Sequence, residues 1–486
     1  MSAVAGTERS RWAALYVLCA GFMMIVLDVT IVNVALPSIQ QDLGFSQNNL
    51  AWVVNAYLIA FGGFMLLAGR LGDLIGQRRV FLTGMTVFTA ASLLCATAQS
   101  QVWLIAARFV QGVGGALTSA VILGMIVTMF PEPKEQAKAI GVYGFVASAG
   151  GSIGLLAGGA LTSVNWHWIF LINLPVGIVT AIFAVRLVED RKGLGFKQGA
   201  DIPGAVLLTT GLMTAVYAIL QLEKWGWDSA GVLGLAGVAV ALIVAFVVRQ
   251  AKIANPLMPL RLFRSRSLTG ANVIQALMIA GMFGMFFLAA LYIQQILGYN
   301  ALEVGLAFLP TTVVMGAMSL RFSGPLTMRF GLRPVLVTSF GLVVAGLLLF
   351  ARTPVHGHYV TDLLAPSLLL GLGAGLGFPA LMTLAMSGVA PQDSGVASGL
   401  VNTGAQVGGA VGLAVLATAA AGRTNGELAA GVDQLAALNS GYHLAYLVGA
   451  ALVAIGAVVV LAVVRKPAAD QAPAEADAEP ELAEAA

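Results

Sequence analysis

The strongest constraint on this chain is a series of fourteen apolar runs, each long enough, or nearly so, to cross a bilayer as a helix, which takes about 20 residues. They fall at 12–36, 50–69, 79–98, 103–129, 138–163, 167–187, 202–221, 229–249, 268–293, 303–320, 333–351, 361–387, 394–421 and 441–464. Hydrocarbon offers the backbone no hydrogen-bond partner, so segments of this kind satisfy themselves as helices. Of the 486 residues, 59% are hydrophobic and only 10% charged, against about 25% charged in soluble domains. The expected class is therefore an all-α integral membrane protein. A net charge of +3 carries no nucleic-acid signature. Cys19 and Cys95 both lie in apolar runs and read as small core residues rather than a disulfide framework. The leading "MSAVAGTERSRW" shows no small-residue cleavage site, so the first run reads as a retained span rather than a signal peptide.

Charge placement sets the expected orientation. Of 25 lysines and arginines, Lys224, Arg352 and Arg423 fall in outside loops and Arg108 within a span; the other 21 lie on the inside if the N-terminus does. That asymmetry places both termini in the cytoplasm of a multi-pass protein of the cell membrane. Trp52, Trp103, Trp166, Trp168, Trp225 and Trp227 then sit near the outer interface, the depth amphipathic rings favour. A weak repeat is visible. "GRLGDLIGQRR" from Gly69 follows the second run and "GPLTMRFGLRP" from Gly324 follows the tenth, with Gly76 over Gly331, Arg78 over Arg333, and Met328 where the first copy has Asp73. Two related halves with a site at their interface are a common transporter plan. The expected division is a six-helix bundle in 1–190, two inserted helices in 191–255 and a second six-helix bundle in 256–466. Residues 467–486, "PAADQAPAEADAEPELAEAA", are too acidic and too poor in apolar side chains to bury a core and read as a disordered cytoplasmic tail.

Asp28 is the one acidic residue placed well inside a run. A carboxylate at a helix centre costs roughly 2.5–3.5 kcal/mol on insertion scales, and ionisable groups at that depth are functional by default. It reads as a proton carrier facing a water-filled cavity, or else as a hydrogen-bonded aspartate joining two helices. Arg108, in "RFVQGVGGA", shares a helical face with Gln111, Gly112 and Gly115. Its guanidinium needs an anion or carbonyl partner, either to tune a carboxylate or as a structural hub. In the inside loop 69–79, Gly69, Asp73, Gly76, Arg78 and Arg79 form a candidate conformational latch in which Asp73 pairs with an arginine or caps the next helix. Along the fifth run, Gly141, Gly150, Gly154, Gly158 and Gly159 include a four-residue repeat that offers a smooth stripe to another backbone.

Asn55, Asn272, Gln275, Asn402 and Gln406, with Gln111, are candidate substrate-cavity residues, helix–helix hydrogen bonds being the alternative. His356 and His358 form His-x-His in an outside loop, but without a third ligand no metal site is assigned. No phosphate-binding Gly-x-x-x-x-Gly-Lys-Ser/Thr loop and no nucleophile constellation is present, which argues against an ATPase or any other enzyme.

Taken together, "LDVTIVNVALP", "GRLGDLIGQRRV", "RFVQGVGGA" and the glycine-spaced fifth run resemble signatures of the major facilitator superfamily. Fourteen spans and "LYIQQILGYNALEVGLAFLP" resemble its drug:proton antiporter branch of EmrB/QacA type. The resemblance implies a major facilitator fold, two six-helix bundles plus two further spans. It assigns proton coupling to Asp28 with Arg108, the inside-loop motif to Gly69, Asp73, Gly76 and Arg78, and the fifth-span antiporter motif to the five glycines. Leu155 stands where that last motif has proline, which questions the kink but leaves the stripe. Some relatives that export dications carry an acidic residue in the tenth span; here Glu303 lies only at its outer edge. The expectation is a proton-coupled exporter of lipophilic neutral or monocationic molecules, with protons as the coupling ion and no cofactor. Its rivals are an exporter dedicated to one metabolite and a non-transporting sensor. Its partners would be substrate and lipid, and the sequence does not specify a periplasmic adaptor.

Overall fold

The computed structural model describes residues 8–190, 193, 195, 201–226, 228–387 and 394–464. The acidic tail assigned to 467–486 and the interfacial Trp227 lie outside the described residues.

Fourteen helical rods run through it. They are α1 Glu8–Leu43, α2 Gln47–Ile75, α3 Gln77–Ala96, α4 Gln101–Met129, α5 Pro133–Val164, α6 Trp168–Leu187 and α7 Ile202–Trp225. The second half holds α8 Ala230–Lys252, α9 Arg266–Ile296, α10 Ala301–Phe330, α11 Leu332–Phe350, α12 Tyr359–Met386, α13 Ser394–Ala429 and α14 Gln434–Val463. Among the described residues, 13 are long and apolar enough to cross a membrane, and the apolar stretch Ile153–Val164 belongs to the remaining rod, α5. Several helices start at side-chain caps that accept an orphan backbone N–H: Ser46, Ser100, Ser229, Ser265, Asp201 and Asp433. At α10, Asn300 and Glu303 form a reciprocal capping box.

The rods overrun the apolar runs, because a polar turn in water can continue a helix that the membrane part has nucleated. Segment 69–79 is therefore not a loop: α2 is helical through Ile75 and α3 begins at Gln77, leaving Gly76 alone at φ 101° to reverse the chain. Gly331, at φ 83°, does the same between α10 and α11, so the repeat in the sequence is a repeat in the fold. Only glycine adopts that backbone at no steric cost. Lys224 and Arg423 likewise stand on helix ends rather than in loops. We call the end bearing Gly76 and Gly331, where most of the cations lie, the basic face, and the other the far face.

Helices α1–α6 pack on one another and α9–α14 do the same. The two groups meet along α2 with α13 and along α5 with α10, and α1 touches α9. Helix α7 lies over the α2–α13 seam, where Gly63 leaves room for Thr209. Helix α8 packs mainly on α7, so its valines Val238, Val240, Val244 and Val248 face outward. At the start of this hairpin, Asp201 caps α7 through Gly204 and accepts from Arg249 Nε at 2.6 Å and Gln250 Nε2 at 2.6 Å. Burial pushes the Asp201 carboxyl up, but these donors more than offset it and hold the group below the usual carboxylate range.

Candidate functional site

Asp28 and Arg108, 80 positions apart, form an ion pair in the core of the first bundle. Arg108 Nη1 lies 2.5 Å from Asp28 Oδ2, and the two side chains are 1% and 0% exposed. Glycines bring the helices this close. Gly112 and Gly115 of α4 sit against the backbone and ring of Tyr57 on α2, and Gly114 sits against Phe88 on α3. A side chain at any of the three would push α4 off its neighbours.

The remaining valences are filled within the cluster. Arg108 Nε donates to the Val53 carbonyl at 3.0 Å and Nη1 also to Gln111 Oε1 at 2.7 Å, while the guanidinium lies over the Tyr57 ring, 4.4 Å from its centre. Asp28 Oδ1 accepts from Gln111 Nε2 at 2.7 Å and from Asn173 Nδ2 of α6 at 3.0 Å. Both amides also reach Ser92 Oγ of α3, at 2.9 and 3.3 Å. Cys95 points its thiol at Gln111 Oε1, 3.6 Å away. Six helices thus converge on one carboxylate: α1, α2, α3, α4 and α6 supply polar or ring contacts, and α5 closes the back.

That closure answers the glycine stripe. Gly150 faces Val26, Gly154 faces Thr30 and the Leu27 carbonyl, and Gly158 faces Ile31, so the stripe clasps the turns of α1 on either side of Asp28. Gly159 points the other way, onto Ala301 and Leu302 of α10, and Gly305 of α10 leaves room for the Leu155 carbonyl. The helix runs unbroken from Pro133 to Val164 with Leu155 in place. Gly141 lies on it, its surroundings outside the described residues.

Of the two readings of Asp28 from the sequence, this conformation shows the hydrogen-bonded aspartate between helices, enclosed at 1% exposure, and not one open to a water-filled cavity. Gln111 belongs to the same cluster rather than to a cavity wall. Chemically, the three N–H donors take three of the carboxylate's four lone-pair sites. A proton on the fourth turns the group into a donor that needs an acceptor, so protonation and the hydrogen bonding between helices are coupled.

At the basic face, Arg78 donates to the Val185 carbonyl at the end of α6, and Arg79 meets Asp190 at 3.3 Å. Gly195 N–H bonds the Leu74 carbonyl at 2.9 Å, with Gly193 against the same turn. Asp73 is exposed one turn after Arg70 and does not cap α3, whose N-cap Gly76 has no side-chain bond. Gly69 has open space around it, while the neighbouring Gly72 fits against Val121 of α4. These contacts tie the α2–α3 turn to the end of α6 and to the segment that follows it, and reach no part of the second bundle.

The other polar candidates are spread out. Asn55 is fully buried with both amide atoms unpartnered. Asn272 bonds the Leu268 carbonyl of its own helix and faces Gly404, and Gln275, one turn on, is 9% exposed. Gln406 packs on Gly62 across the α2–α13 seam, one turn after Asn402. Among the described residues no group of three His, Cys, Asp or Glu side chains could hold a metal. Sequence reasoning missed Ser92 and Asn173, which arrive from helices distant in the chain. It also missed the amides of "LYIQQILGYN". A π-helical turn at Tyr292–Ile296 aims Gln294 Nε2 at the Val34 carbonyl of α1, 2.8 Å away, and Gln295 Nε2 at Gln40 Oε1, 2.7 Å away. Pro37 cannot donate to the carbonyl one turn before it, which loosens α1 beside that contact.

A family model described as Major Facilitator Superfamily matches residues 18–413 and again 276–485. The chain is 38% identical to the puromycin resistance protein of Streptomyces alboniger, over 88% of this chain and 85% of that one. It is also 38% identical to the cephamycin export protein of Amycolatopsis lactamdurans, over 85% and 86%. In fold it is similar to a bacterial homologue of the human lysosomal transporter Spinster, with a TM-score of 0.66 at 16% identity, covering 95% of this chain and 100% of that one.

Proposed function

The chain belongs to the Major Facilitator Superfamily, and we propose that it exports lipophilic neutral or monocationic small molecules across the cell membrane in exchange for protons. It is a multi-pass membrane efflux transporter and not an enzyme. The observation that carries the proton-coupling reading is the enclosed Asp28–Arg108 pair, a titratable group at the centre of a span and hydrogen-bonded to α4 and α6. We read it within the EmrB/QacA branch, for which the fourteen rods and the α7–α8 insertion speak. The moving bodies are taken as 1–190 and 256–466, with 191–255 between them and the basic face cytoplasmic at both termini. The latch residues Gly69, Asp73, Gly76, Arg78 and Arg79 would then stiffen the inner end of one body.

In this conformation the halves touch at the far face, through Gln294, Gln295 and the α5–α10 contact. An outward-opening excursion would admit a proton to Asp28, and its inward release would accompany substrate capture. The membrane potential supplies about 2.3 kcal/mol per charge per 100 mV. For a neutral substrate and one proton that sustains roughly a fifty-fold gradient, at about 1.4 kcal/mol per factor of ten. Glu303 is engaged by the Asn300 backbone, which supports substrates without two positive charges. Substrate accumulation in inverted vesicles tests the reading: it should collapse with a protonophore and be unaffected by removing ATP. Accumulation that survives loss of both gradients contradicts it.

A second reading, export of a single antibiotic or metabolite, is favoured by relatives named for puromycin resistance and cephamycin export. A panel of unrelated dyes and antibiotics separates the two, since only a multidrug exporter moves several.

A further inference from the structure

We propose that Asn173, backed by Ser92, is the positioning residue that holds Asp28 in register and accommodates its change of protonation. This rests on reading Asp28 as the proton carrier. The ionised carboxylate takes Arg108 on one oxygen and the amides of Gln111 and Asn173 on the other. Once protonated, it keeps three acceptor sites but gains an O–H that needs an acceptor, which one of those three groups can offer only by turning. Arg108 has no acceptor atom. Gln111 is fixed at both ends: its oxygen accepts from Arg108 and faces Cys95, so turning its amide would set N–H against guanidinium.

Asn173 is under no such constraint. Its Nδ2 is shared between Asp28 at 3.0 Å and Ser92 Oγ at 3.3 Å, both longer than the 2.5 and 2.7 Å bonds that Arg108 and Gln111 make to the carboxylate. A half-turn of the amide exchanges donor and acceptor and presents Oδ1 to the protonated acid. Ser92, whose hydroxyl now donates to the Phe88 carbonyl at 2.8 Å, can rotate to donate to the turned amide. The O–H of Asp28 then finds its acceptor within the cluster, without water. Asn173 is 2% exposed and stands near the start of α6, which packs on α1 and α3, so the exchange is felt by three helices.

The charged and titratable groups around Asp28 are few. Arg108 faces it from α4, Tyr57 from α2 and Cys95 from α3. Helix α5 presents glycines there, its Tyr143 stacking on Phe22 further along α1. On α6, His167 and Arg186 lie at the two ends of the rod, and α9 reaches α1 through the neutral Gln294 and Gln295.

The test is the pH profile of gradient-driven transport in proteoliposomes, with proton release on substrate addition read from a pH dye. Asn173→Leu keeps similar volume but neither donates nor accepts. A hydrogen bond to a charged acceptor is stronger than the neutral bond that replaces it, so the profile midpoint should move about one pH unit to the alkaline side. Ser92→Ala should move it the same way by less. A merely structural role would lower the rate at every pH and leave the midpoint in place. If both variants fold and keep the wild-type midpoint, the inference is overturned; if Asn173→Leu does not fold, Ser92→Ala decides in the same way. Asp28→Asn is the control. A wild-type profile in that variant defeats the proton-carrier reading itself, whereas loss of the profile there with unmoved midpoints in the other two defeats only the role of Asn173.

Discussion

At the scale of single residues, the energetics of the site follow from its enclosure. A buried ion pair gains little over a well-packed apolar substitute, but removing one partner leaves an uncompensated charge and costs about 3–5 kcal/mol. Arg108→Ala should therefore lower stability by about that amount, read as a fall in the thermal unfolding midpoint in detergent. Asp28→Asn combined with Arg108→Gln should be milder than Arg108→Ala alone, because no lone charge remains buried. Asp28 and Arg108 were legible in the sequence because a charge in an apolar run is conspicuous in one dimension. Ser92 and Asn173 were not. A serine or asparagine in a span is common, and what makes these two matter is the meeting of α3 and α6 with α1, set by tertiary packing. The choice between a water-facing and a hydrogen-bonded Asp28 was not legible for the same reason, since the sequence does not show how many donors crowd around it.

Among the elements, α5 gives the plainest case of a pattern that became a contact. The spacing of Gly150, Gly154 and Gly158 implied close packing, and the structure supplies the partner, the turns of α1 around Asp28. Gly154→Leu would drive a side chain into Thr30 and the Leu27 backbone, an overpacking that costs typically 1–3 kcal/mol. It should reduce transport while Gly151→Ala, at a position with open space, leaves it near wild type. Element ends were less legible, since helices continue past the apolar stretch, and the segment taken as a loop is the last turns of α2. The α7–α8 hairpin depends on Asp201. Because its folded carboxyl lies below the usual range, its contribution is full above the unfolded-state value and is lost as pH falls through the folded one. Thermal melts of wild type should show that acid-side loss, and Asp201→Asn should flatten it.

For the whole molecule, the all-helical membrane fold and the repeated glycine turns were legible as hydropathy and internal similarity. Which faces the halves use was not, because the seams are built from small residues and neutral amides with no long-range signature. Gln294 and Gln295 join α9 to α1 at the far face, and each such bond is worth about 1 kcal/mol. Replacing both with alanine should shift the balance toward far-face opening by roughly tenfold or more. The check is the rate at which a membrane-impermeant maleimide labels Val34→Cys, buried in the closed form. One carboxylate, Asp28, is proposed to link proton movement to that opening and closing. That link is tested most directly by comparing Asp28→Asn with wild type in vesicles carrying an imposed pH gradient. The variant should fold and still bind substrate but no longer accumulate it against a gradient or release protons when substrate is added. Uphill transport and proton release at wild-type levels in that variant would contradict it.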